Sequence, residues 1–195
     1  MSKILIVYAS VYGNTKKMSE AIADGVKTVK GAEAIIKTAE QATLEETAAA
    51  DALVLGSPVH MGSPDWRVKQ YIDKVCAKLW MEDRMVGKVG AVFTAGGGFG
   101  NAGGGCEITL LAMMNNLVEL GMIIVPLPKN TPGYDKGGIQ WGPYGRTMGE
   151  KMEQTGITEE RMVAAHYHGI HIARTVDAVK GKEIFSGRAE KVLQK

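Results

Sequence analysis

Cysteine is scarce in this 195-residue chain, which has only Cys76 and Cys106. Neither stands in the paired spacing that binds zinc or ligates an iron–sulfur cluster, so buried or free thiols are expected and no metal centre. An excess of one charge is also missing: 23 Lys and Arg stand against 21 Asp and Glu, scattered along the chain, for a formal net charge of +2. That balance implies no nucleic-acid partner. No apolar run approaches a bilayer span, and the chain opens directly on a strand pattern rather than on a basic and apolar leader. A reducing cytoplasm is therefore the expected location. Two nucleotide-binding signatures are absent as well. The first strand is followed neither by Gly-x-x-x-x-Gly-Lys-Ser/Thr nor by Gly-x-Gly-x-x-Gly, which weakens the readings of an ATPase and of a classical dinucleotide enzyme.

What is present begins at once. Ile4, Leu5, Ile6 and Val7 form a nearly continuous apolar run, as expected of a central parallel strand covered on both faces. Ser10, Val11, Tyr12, Gly13, Asn14 and Thr15 follow, and then a helix-like run. Hydroxyl and amide donors cluster where the helix begins, Gly13 permits an unusual backbone angle, and the unpaired N–H groups of the first turn point at any anion seated there. Without a neighbouring lysine, such a nest suits a phosphate monoester. The competing reading is an ordinary N-capped turn.

Strands and helices alternate along the rest of the chain. Residues 16–29 read as a helix with Met18, Ile22 and Val26 on one face, and further strands are expected at 32–37, 52–56, 89–94 and 122–126. Helices are expected at 65–79, with Val68, Ile72, Val75 and Leu79 buried, at 107–120, and at 158–179 with Thr158 as its cap. Five strands with helices between them, joined by right-handed crossovers, predict a single α/β domain: a doubly wound parallel sheet of order 2-1-3-4-5. Residues 181–195 are expected to form a surface extension. Ligand then sits at the strand C-termini. The segments richest in glycine and small polar residues leave strands one, three and four, and so converge on one rim.

The second of these segments holds Pro58, Val59, His60, Met61 and Gly62, which offer a restrained backbone and a polarizable surface for a flat ring system. His60 can relay a proton near neutral pH, or serve only in packing or a backbone hydrogen bond. The third runs from Ala95 through Gly96, Gly97, Gly98, Phe99 and Gly100 to Gly105, with seven glycines in the last ten residues. Its amides can approach a planar ligand closely and stabilise negative charge on it, and a mobile lid is a compatible reading. Farther on, an aromatic and glycine-rich excursion carries Trp141 and Tyr144, which cover a pocket, bridge subunits or pack onto their own domain. His166, His168 and His171 lack the i, i+4 pairing of a metal site, so packed or solvated histidines are expected.

Taken in order, residues 10–15, 56–62, 78–80, 121–126 and 143–145 resemble the WrbA-type NAD(P)H:quinone oxidoreductases of the flavodoxin-like superfamily. The resemblance implies FMN as cofactor, NAD(P)H as co-substrate, a quinone as acceptor and a homotetramer. It implies that Ser10 to Thr15 hold the FMN phosphate, that Val59, His60 and Met61 border the isoalloxazine edge, and that Ala95 to Gly100 flank its far side. Tyr12 would border the nicotinamide site. Trp80 resembles the family's tryptophan that reaches a neighbouring subunit's active site, and Tyr144 lies in the loop that approaches the same cavity. Two features depart from the pattern: a longer glycine loop, and Leu120 where the family has a histidine.

The expected activity is two-electron transfer from NAD(P)H to a quinone by a ping-pong route, with His60, Tyr12, Trp80 and Tyr144 around the reacting groups and no nucleophilic side chain required. The rivals are a flavodoxin-type electron carrier that needs a separate reductase and a regulatory FMN-binding protein. Balanced charge argues against electrostatic docking to redox partners.

Overall fold

A computed structural model describes residues 1–98 and 103–185. Its centre is a parallel sheet of β1 (Ser2–Tyr8), β2 (Ala32–Thr38), β3 (Ala52–His60) and β5 (Val89–Gly96), lying in the order β2-β1-β3-β5. The short β4 (Ser63–Pro64) turns back antiparallel on the end of β3. Because side chains alternate along a strand, β1 feeds two cores. Leu5 and Val7 face one layer with Leu53, Leu55, Val92, Leu79 and Leu110, whereas Ile4 and Ile6 face the other with Val54, Phe93, Met18, Ile22 and Ile172. Both faces are therefore covered, as an all-parallel sheet requires.

The helices follow from their stripes. In α1 (Asn14–Lys27), Met18, Ile22 and Val26 are all fully buried, as the periodicity predicts. It packs against α7 (Glu159–Val179) with unusual closeness: a methyl group on Gly25 would lie 1.9 Å from the His166 carbonyl oxygen. On the opposite layer α5 (Cys106–Glu119) buries Leu110, Met113 and Leu117. A short α2 (Leu44–Ala49), not anticipated from the pattern, is held by a reciprocal capping box in which the Thr43 hydroxyl accepts from Glu46 N–H and the Glu46 carboxylate accepts from Thr43 N–H.

Two expectations are corrected. The single helix over 65–79 is three pieces, α3 (Trp66–Tyr71), a π-helical turn (Ile72–Cys76) and α4 (Ala77–Met81), where Ala77 N–H bonds back to Ile72 O. The wider turn lets Tyr71, Ile72, Cys76 and Leu79 all face the core, while Val75 is only partly buried. The single fifth strand is likewise two. β6 (Ile123–Ile124) pairs with the start of β5 at Val89 and Gly90, and β8 (Gly142–Arg146) pairs with its end at Thr94, Ala95 and Gly96. Both pairings are parallel, so the two pieces share the fifth position of the expected 2-1-3-4-5 order. Between them the chain makes α6 (Tyr134–Gly137) and β7 (Gly138–Ile139), which pairs antiparallel with β8. Trp141 packs against the core on the α5 side.

Phe99 and Gly100 of the glycine segment, and residues 186–195 of the expected extension, lie outside the described residues. Residues 181–185 run beside Asp51, Val86 and Lys88 at the base of the sheet. Among the described residues no helix is long and apolar enough to cross a membrane, and no group of three or more His, Cys, Asp or Glu is placed to hold a metal ion.

Candidate functional site

At the C-terminal rim of the sheet lies a cavity of about 410 Å³, within the size range of small-ligand sites. Its walls come from the ends of three neighbouring strands: Ser10, Val11, Tyr12, Asn14 and Thr15 after β1, Pro58, Val59 and His60 ending β3, and Ala95, Gly96 and Gly97 ending β5. The convergence read from the sequence is thus realised in space. A fourth wall was not anticipated. Thr147, Met148, Gln154, Thr155 and Gly156, from the segment between β8 and α7, close the remaining side. That segment is tied to the sheet by Thr147 N–H on Gly96 O, and it folds on itself where Thr155 and Gly156 N–H groups both reach Thr147 O. Buried Arg146 braces it from beneath, its Nε donating to Met148 O at 2.8 Å.

The β1–α1 junction has the features of an anion site. Gly13 takes a left-handed conformation, φ 81°, and no side chain caps the helix. The first-turn N–H groups are therefore free to face a ligand, with the positive end of the helix dipole behind them. Ser10 Oγ is buried and has no hydrogen-bond partner among the described residues. A hydroxyl in that condition costs stability unless something fills its hydrogen bond. Among the described residues no lysine or arginine lines the cavity. These neutral donors suit a phosphate group held by hydrogen bonds, and the N-cap position is Gly13, which brings no side chain to cap the turn.

The expected loop over residues 57–62 is in fact strand and hairpin. β3 continues to His60, whose partner across the turn is Ser63, so the connection is the two-residue pair Met61-Gly62. Both have positive φ, 48° and 76°, as a primed hairpin turn demands. Met61 stands fully in solvent at the tip. Gly62 meets Gly105 so closely that a methyl group on Gly105 would lie 2.5 Å from its Cα. Neither Met61 nor Gly62 lines the cavity itself. The glycines on β5 also have an internal reason: a methyl on Gly96 would strike Val59, and one on Gly97 would strike Met148. Gly98 (φ 67°) continues that segment outside the cavity lining.

His60 Nδ1 lies 3.3 Å from Asp65 Oδ2, with the carboxylate wholly buried and the imidazole partly exposed. Burial on its own would raise the Asp65 carboxyl, but the hydrogen bonds and charge of Arg67, with the charge of His60 behind them, hold it below the ordinary aspartate value. Asp65 went unnoticed in the sequence, where it stands only as the first residue of the expected 65–79 helix; the structure makes it the N-cap of α3.

The family model described as "Flavodoxin domain" matches residues 5–94. A curated relative from Geotalea daltonii, "NAD(P)H dehydrogenase (quinone)", is 32% identical over 88% of this chain and 95% of its own. The chain belongs to the NAD(P)H dehydrogenase (quinone) family. A "Flavodoxin" from Aquifex aeolicus is 36% identical over a shorter stretch, 64% of each chain. Among solved structures, a "flavodoxin, WrbA-like protein" from Agrobacterium tumefaciens aligns with a TM-score of 0.69 at 24% identity, covering 92% of this chain and all of that one. This likeness supports the flavodoxin-like fold.

Against that family background, the four aromatic and imidazole candidates fall into two groups. Tyr12 and His60 line the cavity. Tyr144 sits behind its β5 wall on β8, its hydroxyl donating to Gly96 O at 3.3 Å, and burial pushes that phenol up to about 12. Trp80 stands apart on α4, half exposed, beside Ile72, Cys76, Asn116 and Leu120 around a separate hollow of about 220 Å³. The structure thus brings Trp80 together with Leu120, the residue that departs from the family pattern, and not with Tyr12.

Proposed function

We propose that this chain is an FMN-dependent NAD(P)H:quinone oxidoreductase working by alternate binding of its two substrates in one cavity. The observation that carries the reading is the unpartnered Ser10 hydroxyl beside an uncapped α1, at one end of a cavity whose other walls include Pro58, Val59, the β5 glycines and Met148. Bound FMN would supply a two-electron store, reduced by the nicotinamide and oxidised by the quinone. The phosphate would rest on Ser10, Asn14, Thr15 and the first-turn amides of α1. Pro58, Val59, Ala95, Gly96 and Gly97 would border the ring system, with Met148 opposite. Tyr12, 78% exposed at the mouth, offers a flat surface on which a nicotinamide or quinone can stack. His60 would move a proton at the same mouth.

Trp80 does not line the cavity of its own chain. The family resemblance supports a homotetramer in which it reaches a neighbour's site. Tyr144 would hold the Gly96 wall in place.

Anaerobic stopped-flow absorbance of the FMN-loaded protein tests the reading. NADH or NADPH alone should bleach the bound flavin, and benzoquinone should restore it. Bound flavin that neither nucleotide bleaches would refute the enzyme and favour an electron carrier.

A further inference from the structure

Among the described residues His60 is the only imidazole on the cavity, and the carboxylate behind it is built with more care than a helix cap needs. Asp65 Oδ1 accepts from Arg67 N–H and from Arg67 Nε, both at 2.9 Å. That oxygen alone completes the cap of α3. Oδ2 is separately fixed: Arg67 Nη2 donates to it at 2.7 Å, and His60 Nδ1 stands 3.3 Å away. Asp65 N–H in turn donates to the buried Ser57 Oγ at 2.7 Å, and Ser57 O accepts from Thr94 Oγ1. The two-residue turn at Met61-Gly62 returns the chain so that position 65 lies beside position 60. A dry, oriented carboxylate is thus held against a ring that opens onto the cavity: the Asp65 side chain has no exposure, while that of His60 is 42% exposed.

We propose that Asp65 is a positioning residue for His60, fixing the ring with its proton on Nδ1 and leaving Nε2 to deliver a proton to the acceptor. The proposal rests on the quinone-reductase reading and adds a residue to it. Reducing a quinone takes two electrons and two protons. The hydride equivalent that originates in the nicotinamide carries both electrons and one proton. The second proton comes from His60 in its doubly protonated form: the Nε2–H bond breaks, an O–H bond forms on the anionic oxygen of the half-neutralised acceptor, and the ring returns to neutral with Nδ1–H still facing Asp65. Water then restores the proton on Nε2. The carboxylate keeps the same nitrogen engaged throughout, so the ring need not turn between cycles.

The first test needs no cofactor. In the ¹⁵N-labelled apoprotein at about pH 8.5, well above the ordinary histidine range, long-range ¹H–¹⁵N correlation reports which ring nitrogen carries the proton, and His60 is identified by the signals lost in His60→Gln. The expected pattern is protonated Nδ1 and bare Nε2, shifting toward Nε2–H in Asp65→Ala. A wild-type His60 protonated on Nε2 overturns the proposal even if the alanine variant does not fold, and so does a folded Asp65→Ala with an unchanged pattern. The second test is kinetic. In FMN-loaded Asp65→Asn, quinone-dependent recovery should slow by about tenfold or more, within the span that proton transfer contributes, while bleaching by NAD(P)H changes less than about twofold. Equal slowing of both phases would mark Asp65 as merely structural and overturn the role. If the wild-type flavin is bound but never bleached, the quinone-reductase reading and the proton delivery fail together, whereas an Nδ1–H tautomer would still support the positioning contact.

Discussion

Gly169 on α7 lies so close to Ile22 on α1 that a methyl group at Gly169 would stand 2.0 Å from the Ile22 carbonyl oxygen. Gly25 makes the reciprocal approach to His166. Two backbones therefore touch where side chains ordinarily intervene, and α1 is held by the same contact that aims its N-terminus at the cavity. Gly169→Ala or Gly25→Ala should cost about 1–3 kcal/mol, the usual range for overpacking. Urea unfolding would read the loss. A variant of normal stability would show that α7 can stand off from α1.

Ser10→Ala separates ligand binding from folding. Removing a buried hydroxyl that has no partner among the described residues should leave the apoprotein as stable or up to about 1 kcal/mol more so. FMN affinity should fall by about tenfold or more, the worth of a hydrogen bond to a charged group. Isothermal titration with FMN and thermal melts of the apoprotein give both numbers. Loss of apoprotein stability with unchanged FMN affinity would contradict the phosphate assignment.

At Gly13 the cost of a side chain is conformational alone. Its φ is 81°, and a methyl group there would meet nothing within 4 Å. Gly13→Ala should destabilise by about 1–2 kcal/mol, and Gly13→Asn by less, because asparagine tolerates the left-handed region. Equal melting temperatures for the two variants would argue against backbone strain as the cause.

His168 is fully buried, neither ring nitrogen has a hydrogen-bond partner among the described residues, and burial with repulsion from His171 lowers it to about 3. A histidine depressed in the folded state stabilises the fold above its unfolded value near 6.5, and the contribution is lost as pH falls from there toward 3. Between pH 7 and pH 5 the protein should therefore lose about 2 kcal/mol through this residue. His168→Leu should flatten most of that slope, with His171, also lowered by burial and by Arg174, accounting for some of the remainder. Chemical denaturation at the two pH values decides it: an undiminished slope in the variant would assign the effect elsewhere.

Strong period was what made the fold legible. The apolar run of β1 and the stripe Met18, Ile22 and Val26 each record one buried face, and the three cavity-lining strand ends follow from parallel order alone. The π-helical turn was invisible because Val75 and Cys76 are both apolar enough to continue a regular stripe, and only the backbone shows which one turns inward. The fifth strand was mistaken for one because residues 123–124 carry the strand pattern, while β8 is glycine- and proline-rich and is held by its pairing with Thr94, Ala95 and Gly96 rather than by propensity. Thr147 and Gln154 to Gly156 carry no periodic signal at all. Their place in the cavity depends on Arg146 and on backbone hydrogen bonds that join distant parts of the chain. Asp65 was read as the start of a helix and not as a partner of His60, since that contact depends on a hairpin whose first turn residue, Met61, is an uncommon choice for positive φ.

The division of the fifth strand governs how the sheet ends. A parallel sheet normally finishes in a long row of open amides and carbonyls, an invitation to another chain. Here that row is broken in two, and its upper half is met from outside by the two residues of β7 running the opposite way. A stub this short offers an incoming strand almost no ladder to join. The excursion that interrupts the strand thus acts as a terminator, stopping growth of the sheet on that side while leaving the binding rim open.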